Sequence, residues 1–271
     1  MKRISGISKS QLYSMLLLAC VMVLSGCGTN INEKPESSIQ KIEAEDAQGN
    51  TQEEIKETSQ ERVQEEKTPS KMETEETVRN SVVRIEGDRF FGSGVIWEIG
   101  KEYVRILSCR HVLEINNTCD IIFPTGVYYK ATVEFLSEEY DYGFAVIPAS
   151  EMDLEDISVL ETAKPSKRTR GQMIKGEEVL AYGSSEYAAS DTIWGYVVDT
   201  DVMANIPGLF AEQSMMVCHG QITPGMSGCG IFDESGALIG ILSGGEKEQV
   251  EHLSAEDEYP VFVAVPIWHI T

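Results

Sequence analysis

Three regimes of hydrophobic patterning divide the chain. Leu12 to Leu24 form one apolar run, residues 28–78 hold no aromatic side chain and few large aliphatics, and from Ser81 onward short apolar runs succeed one another. Those runs read SVVRIEG, GSGVIWEIG, YVRILS, CDIIFP, VYYKATVEFL, GFAVIP, EEVLAYG, TIWGYVVD, SMMVCHG, GIFDESGALIGILSG and VFVAVPI, bounded by Gly, Asp, Asn and Pro. Strands of this length, with no long helical period between them, predict an all-β domain. The runs form two clusters, one ending near Ile147 and one starting near Glu177, joined by the polar stretch EMDLEDISVLETAKPSKRTRGQMIKG, which contains no convincing strand. A pair of six-stranded antiparallel barrels fits the count, and closure would remove exposed sheet edges. The domain is placed at 79–271, with the first barrel at about 79–150 and the second at about 172–271.

The two earlier regimes carry different expectations. Lys2, Arg3 and Lys9 precede the apolar run and small residues follow it, which is the layout of a secretory signal, and the run is short of the roughly 20 residues of a bilayer span. The sequence LSGC, Leu24 to Cys27, resembles a bacterial lipobox. That resemblance implies a signal peptide over 1–26 and lipidation of Cys27, so that the protein would be an extracytoplasmic lipoprotein of the cell membrane. Residues 27–78 cannot bury enough apolar surface to offset their ordering entropy and are expected to form an acidic, disordered tether with a reach of ~40 Å.

Net charge narrows the partners. The chain carries −22 overall, of which −17 falls on residues 79–271. So acidic a domain argues against nucleic acid and anionic lipid surfaces as ligands. Outside the signal and the lipobox lie Cys109, Cys119, Cys218 and Cys229, an even number in an exported protein. Both disulfides and buried free thiols are compatible with that count.

Candidate chemistry centres on TPGMSGCG, Thr223 to Gly230, where one serine stands among three glycines. Such a loop is a nucleophile's seat only if an imidazole, a carboxylate and oxyanion donors accompany it. His111 follows the apolar strand in YVRILSCRHVLE, and Asp141 directly precedes another in EEYDYGFAVI. The order His, Asp, Ser is one of the convergent solutions to this geometry. An α/β-hydrolase would need the serine first and glycine two residues after it, where Cys229 stands here. Glu138 and Glu139 are rival carboxylates, and His219, His252 and His269 rival bases.

Residues from about Thr77 to Ile270 resemble the trypsin-like serine proteases, closest to the bacterial Do-type (high-temperature requirement) branch. SVVRIEG with GSGVIW, ILSCRHVL, ATVEFLSEEYDYGFAVI and ITPGMSGCGIFDESGALIGI match that family's segments in order, and FVAVPI resembles the strand that closes its second barrel. The resemblance implies a serine endopeptidase with Ser227 as nucleophile, His111 as general base, Asp141 orienting the imidazole, and the backbone N–H groups of Gly225 and Ser227 as the oxyanion hole. It further implies a substrate pocket lined by Gln221, Ile222 and Thr223 and by Ser243, Gly244 and Gly245. Neither segment carries a charged side chain, so small or apolar P1 residues are expected. Met226 and Cys229 depart from the family's pattern, in which an Asn or Asp and a glycine are usual. Without an acidic residue at 226 to bond a new N-terminus, no activating cleavage is expected. No metal, cofactor or appended peptide-binding PDZ module is expected either, and the partners are peptide or protein substrates. The competing class is a binding module that keeps the triad's outline without turnover.

Overall fold

The computed structural model describes residues 69–88, 90–204, 213–245 and 260–271. The signal peptide, Cys27, most of the tether and His252 lie outside these residues.

Its first element corrects the tether's boundary. Lys71–Val78 forms a helix, α1, opened by a reciprocal capping box between Ser70 and Glu73. What the polar composition hides is a docking face. Thr74 and Val78 are buried, Thr74 Oγ1 donates to the Glu234 carbonyl, Lys71 pairs with Glu178 and lies over the Trp194 ring, and Trp194 Nε1 donates to Glu75. The helix is packed on the folded body rather than belonging to a solvated tether.

Two closed sheets follow. β1 (Val82–Gly87), β2 (Phe90–Ile99), β3 (Tyr103–Ser108), β4 (Thr118–Ile122), β5 (Tyr128–Leu136) and β6 (Gly143–Pro148) close in the order β1-β2-β3-β6-β5-β4. All six pairings are antiparallel, β1 meeting both β2 and β4. Inward-pointing Ile85, Val95, Ile106, Ile121, Ala131, Ala145 and Ile147 are wholly buried, as period-2 alternation requires of a barrel lining. A one-turn helix α2 (Arg110–Leu113) leaves the end of β3.

The connection contains the short helix α3 (Leu154–Ser158) and β7 (Lys164–Pro165), a two-residue strand that pairs in parallel with Ala237 and Leu238. The second sheet runs β11-β8-β9-β10-β13-β12 and is closed by β11 against β12, its strands being β8 (Glu178–Gly183), β9 (Asp191–Ala204), β10 (Gln213–His219), β11 (Gly230–Asp233), β12 (Ala237–Gly244) and β13 (Val261–Pro266). The all-β, two-barrel expectation holds. All four domain cysteines are buried free thiols, and burial pushes the Cys119 thiol up to about 11 and those of Cys218 and Cys229 higher still.

Candidate active site

β3 ends at buried Ser108, whose hydroxyl donates to the Ser93 carbonyl at 2.6 Å. Cys109 then takes an extended conformation, and α2 turns His111 out onto the barrel rim with its side chain 32% exposed. Asp141 sits just before β6, wholly buried. Its Oδ1 accepts from the His111 backbone N–H at 3.0 Å, and its Oδ2 meets His111 Nδ1 at 2.8 Å. The Ser243 hydroxyl donates to the same Oδ2 from β12. A carboxylate so buried survives as an anion only with donors of this kind around it. An ionised carboxylate can only accept, so the proton between the two lies on Nδ1, and Nε2 is left with its lone pair.

Ser227 lies in a loop made of two successive turns. Met226 N–H donates to the Thr223 carbonyl across Pro224 and Gly225, and Cys229 N–H to the Met226 carbonyl across Ser227 and Gly228. Gly225 has φ +97° and Gly228 φ +87°, each at the third position of its turn, where a type II turn needs a left-handed residue. A Cβ at Gly225 would stand 2.5 Å from a Phe91 ring carbon, and one at Gly228 would stand 2.1 Å from the Ser93 carbonyl oxygen.

Every carbonyl from Thr223 to Ser227 is engaged. Besides the two turn bonds, Pro224 O accepts from Glu186 N–H at 2.8 Å, Gly225 O from the Ser93 hydroxyl at 3.0 Å, and Ser227 O from Ser93 N–H at 2.8 Å. The peptides are trans, so the Gly225 and Ser227 N–H groups point away from those tied carbonyls, and neither has a protein partner among the described residues. Two unpaired N–H groups in a glycine-rich turn form an anion-binding concavity.

The two halves converge at the rim. A Cβ on Gly92 would touch the Val112 γ-carbons at 2.8 and 3.0 Å and the Ser227 carbonyl at 3.2 Å, so the neighbour of His111 and the serine abut the same residue. The half-buried Ser227 hydroxyl makes no hydrogen bond to the imidazole among the described residues; such bonds in unliganded sites are often long and tighten with substrate.

The rival groups lie elsewhere. Glu138 and Glu139 are exposed. His219 is held in β10 between Tyr196 and Val261 and stacks on Tyr196 at 4.7 Å, while His269 stacks on Tyr140 at 4.0 Å. Cys109 Sγ lies within 4.8 Å of ligand atoms of His111 and Asp141, close enough for a metal. Its donor chemistry is unsuited to one, because burial and the nearby Asp141 hold the thiol protonated, and it donates to the Leu242 carbonyl.

The segments expected to line the pocket have partners of their own. Ser243 turns its hydroxyl onto Asp141 and is 3% exposed, so its side chain serves the carboxylate rather than an open wall. Ile222 lies against Gly245, within 2.2 Å of where a Cβ would be, and Gln221 is exposed. Thr223 donates to Asp191 Oδ2 at 2.9 Å, so a carboxylate from outside both segments reaches this one. Local sequence signals do not mark Asp191, the Glu186 amide, Ser184, whose N–H donates to Ser93 Oγ, or Gln213, whose Oε1 accepts from Asp141 N–H. Ser93 lies within GSGVIW, where the sequence alone assigns it no role.

The sequence profile of the trypsin-like peptidase domain matches residues 92–241. The chain belongs to the trypsin-like peptidase family. It is accordingly a hydrolase of the serine endopeptidase class. Solved structures similar to this peptidase include an inactive form of Rv3671c from M. tuberculosis H37Rv, with a TM-score of 0.55 and 13% identity over 73% of this chain and 86% of that one. They also include the HtrA-type protease AlgW with tripeptide, with a TM-score of 0.57 and 20% identity over 73% of this chain and 60% of AlgW. Both are likenesses of fold. A comparison with curated protein sequences gives no match.

Proposed function

We propose that this peptidase cleaves exposed peptide bonds through an acyl-enzyme, with Ser227, His111 and Asp141 as its triad. Ser227 Oγ attacks the scissile carbonyl while His111 Nε2 takes its proton, later returning it to the leaving amine. Asp141 holds the tautomer that frees Nε2 and stabilises the imidazolium. The Gly225 and Ser227 N–H groups receive the oxyanion, each such donor contributing ~3 kcal/mol to the transition state. The observation that supports this most is the double turn, whose five carbonyls are tied while those two N–H groups remain unpaired. A fluorophosphonate probe tests it: labelling at Ser227 that disappears in Ser227→Ala and His111→Ala, together with loss of casein hydrolysis, is expected. Equal casein turnover by wild type and Ser227→Ala would overturn the assignment.

The same reading gives the substrate as a protein segment with a small or apolar P1 residue, on the strength of Ile222 against Gly245. Cleavage-site profiling on a mixed peptide library checks this, and dominant Arg or Lys at P1 would point to Asp191 as a counter-ion. From LSGC we also propose that the protein is membrane-tethered through lipid on Cys27. Cys27→Ala should lose the acyl mass and the membrane fraction, and equal retention of both forms would rule it out.

A further inference from the structure

Asp141 belongs to the first barrel, yet two of its atoms are held by the second. Ser243 of β12 donates to Oδ2, and at the other end of the residue the backbone N–H donates to Gln213 Oε1 at 3.2 Å. Gln213 is the first residue of β10, 3% exposed, and 72 positions from Asp141. Its Nε2 is buried without a hydrogen-bond partner among the described residues. The amide cannot be turned round to relieve this, because Nε2 would then face another donor, the Asp141 N–H. An orphaned buried donor destabilises the fold, and an aliphatic side chain would fill the same space without one. What the glutamine provides is the acceptor for Asp141.

We infer that Gln213 is a positioning residue for the triad, acting on the imidazole through Asp141. The inference rests on the triad reading above. With both the amide nitrogen and the carboxylate pinned by the second barrel, the Asp141 side chain spans two fixed points and has one direction in which to present Oδ1 and Oδ2 to His111. Without the Gln213 acceptor the residue keeps only its carboxylate anchor and can pivot about it, carrying the imidazole with it. Misplacement of that kind reduces the chemical step and leaves substrate binding alone, because among the described residues the Gln213 side chain bonds to Asp141 and to neither the 221–223 segment nor Gly245.

The test uses the full chain with Gln213→Leu and Gln213→Met, which cannot accept, and Gln213→Glu, which can. A peptide substrate gives kcat and KM, the fluorophosphonate gives the rate of Ser227 modification, and thermal melts establish folding at the assay temperature. The two non-accepting variants are expected to lose roughly 10–100-fold in kcat and in phosphonylation rate, with KM within about two-fold of wild type. Gln213→Glu is expected to recover most of the loss, since burial beside the Asp141 carboxylate holds the new carboxyl neutral and its carbonyl oxygen restores the acceptor at the same reach. Folded non-accepting variants with wild-type kcat, a rise in KM that accounts for the loss, or no recovery by glutamate would each overturn the inference. Loss of fold in both non-accepting variants would assign Gln213 to stability alone and overturn it too. A wild-type protein that the probe does not label at Ser227 would instead sink the triad reading, a separate result.

Discussion

His111 and Asp141 meet through side chains around a fully buried carboxylate, whereas the loop carrying Ser227 offers backbone, its carbonyls tied and two N–H groups left over. The first half depends on what the residues are. An amide in place of the carboxylate would keep the shape and lose the function. The second half depends on how the chain is bent, since backbone donors exist at every residue but proline and only the two left-handed glycines aim them. The halves should therefore fail differently under mutation.

Asp141→Asn should separate them most. The asparagine NH2 would donate towards Nδ1, forcing the proton to Nε2 and removing the base. A loss of ~10⁴ in kcat is expected with the fold retained. Glu138→Gln and Glu139→Gln, at exposed positions, should be nearly silent, and the reverse pattern would mean that the wrong carboxylate has been named.

Gly225→Ala strikes the backbone half and leaves the His111–Asp141 pair in place. Its Cβ would press into the Phe91 ring at 2.5 and 2.7 Å in a left-handed conformation. Relief requires the turn to rotate and its N–H with it, for an expected loss of ~10²–10³ in kcat, the worth of one oxyanion donor. Unchanged kcat would show that Gly225 N–H is not such a donor.

This division also explains what was legible in the chain. Alternating apolar runs revealed both barrels, and the order His111, Asp141, Ser227 pointed to the residues proposed for the acid–base half, because residue type and strand position are local properties. α1 escaped because most of its contacts are single bonds from a polar helix to Glu178, Trp194 and Glu234, and buried Val78 alone makes no apolar stripe to announce them. Ser243, Asp191 and Gln213 escaped for a different reason. Their partners lie 102, 32 and 72 residues away, and only barrel closure brings them together.

Ser93 joins the halves and gives an intermediate expectation. Its hydroxyl accepts from Ser184 N–H at 2.8 Å and faces Gly225 O at 3.0 Å, while its backbone N–H holds Ser227 O. Ser93→Ala leaves the Ser184 N–H without its acceptor in a buried site, at a cost of ~1–3 kcal/mol in denaturant unfolding, and frees one carbonyl of the oxyanion turn. About a ten-fold loss in kcat is expected, since the backbone bond to Ser227 remains. Ser184→Ala keeps the N–H to Ser93 and should lose less in both measurements. Equal effects would mean that the hydroxyl pair, rather than the tie to the turn, carries the contribution.

The smallest effect concerns a histidine outside the acid–base half. His269 is half-buried and stacked on Tyr140, the residue before Asp141. Burial pushes its imidazole below its ordinary value of 6.5, and Arg170 adds to this, against a backbone hydrogen bond at Ser214 and the charge of Glu139. As pH falls through about 6.5 the unfolded chain takes up this proton before the native one does, so the unfolded state binds more protons and stability falls. Below the lowered native value both states are protonated and the loss stops growing. His269→Phe keeps an aromatic ring for the stack and removes the proton. Between pH 7.5 and 5.5 its melting temperature should drop less than that of wild type, by about a degree or two given the group's partial exposure. Its kcat at pH 8 should equal that of wild type, because the imidazole proposed to take the Ser227 proton is His111. Parallel melting curves for the two proteins across that range would show that His269 contributes nothing to the acid loss, and a fall in kcat at pH 8 would place it in the working site after all.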